Sequence, residues 1–239
     1  RFNDLEPNAA VIVASARALK SHGGVLRKEL HKPNLEALEK GISNLTHLIG
    51  MIKSFNLPVV VAINRFPDDT SEEIAVIKSH SENVGAFAAV ESLAFTEGGS
   101  GTVDLAAAVI AACEGDSPNI SYMYEENSTP QEKVTALAKG VYNASDVSWP
   151  LSARRQIRRY TELGWGDLPI CMAKTQLSIS HNSRLKGRPS DYTFEISDVR
   201  ISPGAGFIYP IAGSVVTMPG LPSSPRSLDV DSIGNVIGL

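Results

Sequence analysis

The chain has only two cysteines, Cys113 and Cys171. They stand far apart and without the spacing of a metal-binding pair, which excludes a disulfide-rich scaffold and a thiolate metal centre. They read as reduced structural thiols of a cytoplasmic protein, with a single disulfide left open by the sequence. No apolar run approaches the roughly 18 residues that a membrane-spanning helix requires, and the N-terminus lacks the layout of a secretion signal. An excess of positive charge is missing as well. The net charge is −4 and the pI about 5.8, so nothing global favours nucleic acid or an anionic membrane. There is no internal repeat, heptad array or low-complexity tract. No stretch carries the G-x-x-x-x-G-K-[ST] spacing of a phosphate loop. An initiator Met is also lacking, and Arg1-Phe2-Asn3-Asp4 runs almost directly into a strand-like segment. The expectation is a chain cut from something longer.

What is present is an ordinary globular composition, with 43% hydrophobic and 20% charged residues in 239. That length suits one large or two modest α/β domains. The organising stretch is Leu57 to Thr70, LPVVVAINRFPDDT. Val59 to Ile63 is a short, continuous, β-branched run that suits a parallel strand buried on both faces, with Pro58 at its edge. It stops at Asn64-Arg65-Phe66-Pro67. Thr70-Ser71-Glu72-Glu73 then has the capping-box pattern, which predicts a helix from Thr70 to Asn83. Loops beyond the carboxyl ends of strands are where open α/β sheets bind ligands. An Asn and an exposed Phe-Pro there fit a site, and they fit an ordinary strand-to-helix loop equally well.

Around this stretch, Ala9 to Ala16 reads as a first buried strand. Ser15 to Gly24 reads as a loop whose Arg17, Lys20 and His22 either hold an anion or face solvent. From Asn34 to Phe55 apolar residues recur every three or four positions, predicting one long amphipathic helix after Pro33. Ala86 to Leu93 is a third strand. Phe95 to Thr102, FTEGGSGT, is a glycine loop opening a helix at Val103 to Cys113, a weak signal for an anion or ring substituent. Composition then turns to Gly, Asp, Ser, Pro and Asn, and a boundary is placed there, giving domains 1–118 and 119–239. The second half is expected to hold helices at Pro130 to Tyr142 and Ser152 to Leu163. The latter carries Arg154, Arg155, Arg158 and Arg159, read first as a solvated face and second as a grip for polyanions. Leu168 to Ala173, Tyr192 to Ile201 and Phe207 to Val216 are strand-like, with a turn at Gly204 to Gly206. Thr217 to Pro222 is expected to be a stiff, irregular loop.

Taken together, VIVASARALKSHGG, NLEALEKGISNL, VVVAINRFPDDT, FTEGGSGTVDLA, LPICMAKTQLSIS and DVRISPGAGFIYPIAGSVVTMPGLP resemble the formate–tetrahydrofolate ligase family. The stretches are long, irregular and in family order across nearly the whole chain. The resemblance covers the C-terminal portion of the family sequence. It implies an α/β fold with a partial P-loop-NTPase-like parallel sheet, followed by a smaller α/β (α+β) domain. It also implies ATP-dependent joining of formate to tetrahydrofolate through formyl phosphate, giving 10-formyltetrahydrofolate in one-carbon metabolism. The family's phosphate loop, a T-P-x-G-E-G-K-T-T-like segment, belongs to the N-terminal part, which would also hold most of the Mg²⁺ contacts.

By the same resemblance, Asn64 is assigned to adenine, and Phe66 and Pro67 to folate. Phe95 stands where the family usually has Trp as the second face of the pterin stack, beside Gly98 and Gly99. Arg17, Lys20 and His22 match R-A-L-K-x-H-G-G and become candidate catalytic contacts to formyl phosphate or a carboxylate. Asp68 departs from the usual F-P-T-D-T and adds negative charge. Within this chain no residues are assigned to a metal. The expected partners are formate, ATP and tetrahydrofolate, with no nucleic acid and no membrane, in a cytoplasmic homo-oligomer. The alternative is a truncated, non-catalytic folate- or nucleotide-binding module.

Overall fold

The computed structural model describes residues 5–115, 119–215, 227, 229–232 and 236–237. The first strands are β1 (Ala10–Ala14), β2 (Val59–Asn64) and β3 (Ala88–Ser92), which form a parallel sheet with β2 in the centre. Between β1 and β2 run α1 (Ala16–His22), α2 (Leu35–Gly41) and α3 (Ser43–Lys53); α4 (Ser71–Asn83) joins β2 to β3. All five residues from Val59 to Ile63 are buried, as a central parallel strand demands. Leu19, Leu38, Leu45, Ile49, Ile74 and Ile77 pack against this sheet as one core. The capping box at Thr70 forms as its sequence requires, with Thr70 and Glu73 satisfying each other's backbone N–H groups.

Three sequence expectations change here. Ser15 to Gly24 is a helix, not a loop: the Ser15 hydroxyl caps it at Ala18, and Ala16 and Leu19 are buried in the core. The single long helix is two. The break is at Ile42, and Gly41 just before it lies so close to α1 that a Cβ would sit 1.9 Å from the Leu19 carbonyl oxygen, which leaves room for no side chain there. Finally, β1 is not buried on both faces. Val11 and Val13 are exposed, although their neighbours Val60 and Ala62 on the same face of β2 are buried, because the helix Val103–Cys113 packs over β2 and β3 and not over β1.

After α5 (Ala94–Glu97), a 3₁₀ turn (Gly98–Thr102) leads into α6 (Val103–Cys113). The second region has α7 (Pro130–Gly140), β4 (Asp146–Ser148), α8 (Leu151–Glu162), β5 (Thr193–Ser202) and β6 (Phe207–Ala212). Its three-stranded sheet is mixed, with β4 parallel and β6 antiparallel to β5. Val134, Ala138, Ile157, Phe194, Val199 and Ile208 form a separate core. Leu168 to Ala173 joins β6 only through isolated bridges at Ile170 and Ala173, so it is a strap along the sheet edge. A short antiparallel pair, β7 (Asp229–Val230) and β8 (Val236–Ile237), lies near the end of the chain. The expected β6 stops at Ala212, before Gly213 at φ 68°. Val216, the Thr217 to Pro222 loop and residue 118 at the expected boundary lie outside the described residues.

The two regions touch through polar contacts. Asn44 donates to the Gly187 carbonyl, His22 Nδ1 accepts from Gly187 N–H, and His47 meets the Val141 carbonyl at 2.7 Å.

Candidate functional site

The carboxyl end of β2 brings the candidate residues to one place. Asn64 ends the strand opposite Ser92 of β3, and the Ser92 carbonyl accepts from Arg65 N–H, which turns the chain outward. The Phe66 to Asp69 segment then closes as a tight turn. The buried Asp69 carboxylate accepts from Phe66 N–H at 2.8 Å, and Asp69 N–H donates to the Phe66 carbonyl. This fixes the direction in which Phe66 leaves the backbone. Arg65 is held aside by Glu91 at 2.8 Å.

Phe66 and Phe95 face each other, with ring centroids 5.3 Å apart and planes inclined at 57°. Phe95 is 67% exposed and Phe66 half-buried, so the pair presents an apolar face to solvent. The Arg17 guanidinium lies over the Phe66 ring, 4.3 Å from its centroid, and pairs with Asp68 at 2.9 Å. Arg17 Nε is buried and without a hydrogen-bond partner, so the guanidinium is not fully satisfied by protein. Asn64 has no partner for its side-chain amide among the described residues. Gly98 adopts φ 61° and ψ −138°, a region open essentially to glycine, where α5 passes into the 3₁₀ turn. Gly99 follows it, exposed, beside the aromatic pair's loop. Phe66, Phe95 and Arg17 therefore meet beyond the carboxyl end of the sheet, with Asn64 ending β2 and the glycine turn following Phe95 in the chain.

The three cations of the R-A-L-K-x-H segment do not stay together. Helical geometry sends them to different surroundings. Only Arg17 faces the aromatic pair. Lys20 is fully buried; its ammonium pairs with Glu73 at 3.0 Å and donates to the Lys32 carbonyl at 2.9 Å. Glu73 also accepts from the backbone of Asn34 and Thr70. Burial alone would raise the Glu73 carboxyl, but the Asn34 N–H, the Lys20 ammonium and the Thr70 N–H outweigh it and hold the pKa below the ordinary value. His22, at the far end of α1, points to the junction with the second region, where burial and then Lys186 lower its pKa.

Sequence reasoning missed two structural supports of this site. Asp69 carries no signal of its own in the sequence, although its carboxylate sets the loop. Glu73 was legible as a helix cap, but its role as the counter-ion of Lys20 depends on α1 packing against α4. Among the described residues no group of His, Cys, Asp and Glu could hold a metal ion, no helix is long and apolar enough to cross a membrane, and Cys113 and Cys171 are free and exposed.

A family model described as formate–tetrahydrofolate ligase matches residues 1–239. The chain belongs to the formate–tetrahydrofolate ligase family. It is 46% identical to the formate–tetrahydrofolate ligase of Roseiflexus sp. and 43% identical to that of Thermotoga maritima. In each case all of this chain is aligned with 44% of the relative. It is also 43% identical to the cytoplasmic C-1-tetrahydrofolate synthase of Saccharomyces cerevisiae, aligning with 26% of that protein. The chain thus spans less than half the length of the curated relatives it matches.

Proposed function

We propose that this chain is the C-terminal portion of an ATP-dependent ligase that joins formate to tetrahydrofolate, giving 10-formyltetrahydrofolate in one-carbon metabolism. The observation that carries the reading is the Phe66–Phe95 pair, open to solvent at the carboxyl end of a parallel sheet and flanked by Arg17. A pterin is flat and polar-edged, and two aromatic rings with one exposed face suit it. Formate is a poor electrophile. Phosphorylation would give its carbon a leaving group, and the amine N10 of tetrahydrofolate would then attack the formyl phosphate. The new bond is C–N, the broken one is C–O, and phosphate leaves as the amine loses its proton.

In this reading the chain supplies the far wall of the site. Phe66, Pro67 and Phe95 seat the pterin, Asn64 reads adenine, and Gly98 and Gly99 keep the backbone low beside the ring. Arg17 alone of the three candidate cations contacts the acyl phosphate or a carboxylate, once Asp68 releases it. Lys20 acts through the fold, as the buried tie between α1 and α4. A phosphate cradle and Mg²⁺ would neutralise the charge in transfer, and the reading gives both to the part of the family sequence that this chain does not span. Among the described residues no group of side chains makes a Mg²⁺ site by itself. The P-loop-NTPase-like character of the sheet, the homo-oligomeric state and a cytoplasmic setting, as in the name of the yeast relative, belong to the same proposal.

The test is Phe66→Ala, with tetrahydrofolate binding measured by calorimetry. Loss of the stacking face should weaken binding about tenfold, given roughly 0.5–1.5 kcal/mol for an aromatic contact beyond its buried area. Unchanged affinity overturns the assignment of the pterin to this pair. Binding by the parent chain without turnover, even when the remaining family segment is supplied, would favour the non-catalytic module.

A further inference from the structure

Away from the aromatic pair, a cavity of about 340 Å³ opens where the two regions meet. Its first wall is His22 together with Asn44, Leu48 and Met51 of α3. The facing wall is Tyr142 with Lys174, Gln176 and Ile179 of the segment after the Leu168 to Ala173 strap. The Lys174 ammonium is half-buried and lies 5.4 Å from the Tyr142 ring centroid. It donates to the carbonyls of Thr175 and Ser178, which leaves one N–H unused. Among the described residues no carboxylate pairs with it, and none lines the cavity. His22 accepts from Gly187 N–H on Nδ1 at 3.2 Å, so the neutral ring carries its proton on Nε2 and is a donor there. Gln176 is exposed at the wall, its amide uncommitted among the described residues.

A gap left by imperfect packing would be lined by apolar groups or by opposed charges. This one collects donors and a cation without a counter-ion, beside apolar side chains. Holding an ammonium half out of water with only carbonyl partners is unfavourable, and an anion in the cavity would reverse that. We propose that this cavity is a second binding site, which takes a small oxyanion, a carboxylate or phosphate on a short apolar skeleton, between Lys174 and His22. Leu48, Met51 and Ile179 accept the skeleton, and Gln176 adds a polar contact at the wall. Burial, which pushes the Lys174 pKa down to about 8, would be offset by the bound charge. The site is distinct from the aromatic pair and stands whether or not the pterin assignment does.

The experiment is a titration of the 239-residue protein with inorganic phosphate and, separately, glutarate, followed by calorimetry and by the His22 ring Cε1–H signal in NMR. A saturable shift of the His22 signal with at least one anion is expected. Phosphate preference would indicate a phosphorylated ligand, and glutarate preference a carboxylate tail. Lys174→Met should weaken binding about tenfold, the effect of losing one charge-assisted hydrogen bond. Gln176→Leu, on an exposed side chain, gives a smaller loss and does not depend on Lys174→Met folding. Arg17→Ala should leave the anion-induced shift of the His22 signal unchanged, whatever it does to the calorimetric signal of the aromatic site, and abolition of that shift would move the anion to the aromatic site and overturn the proposal. So would a His22 signal that neither anion moves, or a Lys174→Met protein that binds as tightly as the parent.

Discussion

One lysine in each region is held in an opposite way. In the first, Lys20 is matched by Glu73, and every oxygen of that carboxylate is used by a named donor. In the second, the half-buried Lys174 ammonium is held by the carbonyls of Thr175 and Ser178, with no carboxylate partner among the described residues. A matched pair acts as a tie: it fixes α1 against α4 and leaves no net charge in the core. Lys174, held by carbonyl dipoles, has no such neutralising partner among the described residues, and in the proposal above its charge meets a bound anion. The same residue type is therefore scaffold in one half and a candidate ligand contact in the other.

The strongest way to break this contrast is Lys20→Met. It strands the Glu73 carboxylate in the core, and removing one partner of a buried pair costs about 3–5 kcal/mol. Urea unfolding should show that loss, whereas a midpoint near the parent's would mean that the tie is not needed. Lys174→Met, with no carboxylate to strand, should move the same midpoint far less.

Proton linkage separates the regions further. The folded-state pKa of Glu73 is depressed from 4.5, so its stabilisation is complete above the unfolded value and is lost as pH falls through the lower folded one. Lys174 runs the other way. Its folded pKa is about 8 against an ordinary 10.5, so between those values the unfolded chain binds more protons and stability rises with pH. Tyr142 and Tyr192, raised by burial from 10 to about 12, reverse that rise once the unfolded phenols ionise. Urea midpoints should therefore fall below pH 4.5 and climb between pH 8 and 10. A steady decline from pH 8 upward would contradict the Lys174 environment.

Asp68→Thr tests the first region at its surface, with the smallest effect on stability. Arg17 and Asp68 are both partly exposed, and pairs of that kind contribute about 0–1 kcal/mol. Denaturant midpoints should barely move. If Asp68 restrains Arg17 as the geometry implies, tetrahydrofolate or phosphate-bearing ligands should bind more tightly to the variant. Weaker binding would mean that Asp68 shapes the site instead of shielding its guanidinium.

Much of the first region could be read from residues. The β-branched run Val59 to Ile63 became the buried central strand, Thr70 to Glu73 became the helix cap, and Val103 to Cys113 became α6 with the expected ends. These are local patterns whose physics operates within a few residues. Misreadings came where packing overruled pattern. The Arg17, Lys20 and His22 segment looked like a cationic loop until helix formation turned its side chains in different directions. Val11 and Val13 looked buried because apolar periodicity records what a strand can bury, not whether a neighbour covers it.

By itself the sequence determined the parallel strand, the capped helices, the aromatic and amide residues at the end of β2, and the family. Each is either a short-range preference or a pattern that survives without coordinates. Tertiary structure decided which charges are matched. Glu73 neutralises Lys20 because α1 and α4 meet, and Lys174 goes unmatched among the described residues because the segment around it offers it the Thr175 and Ser178 carbonyls. Such outcomes depend on which distant segments come within a few ångströms of one another, and Coulomb and desolvation energies change steeply over that range.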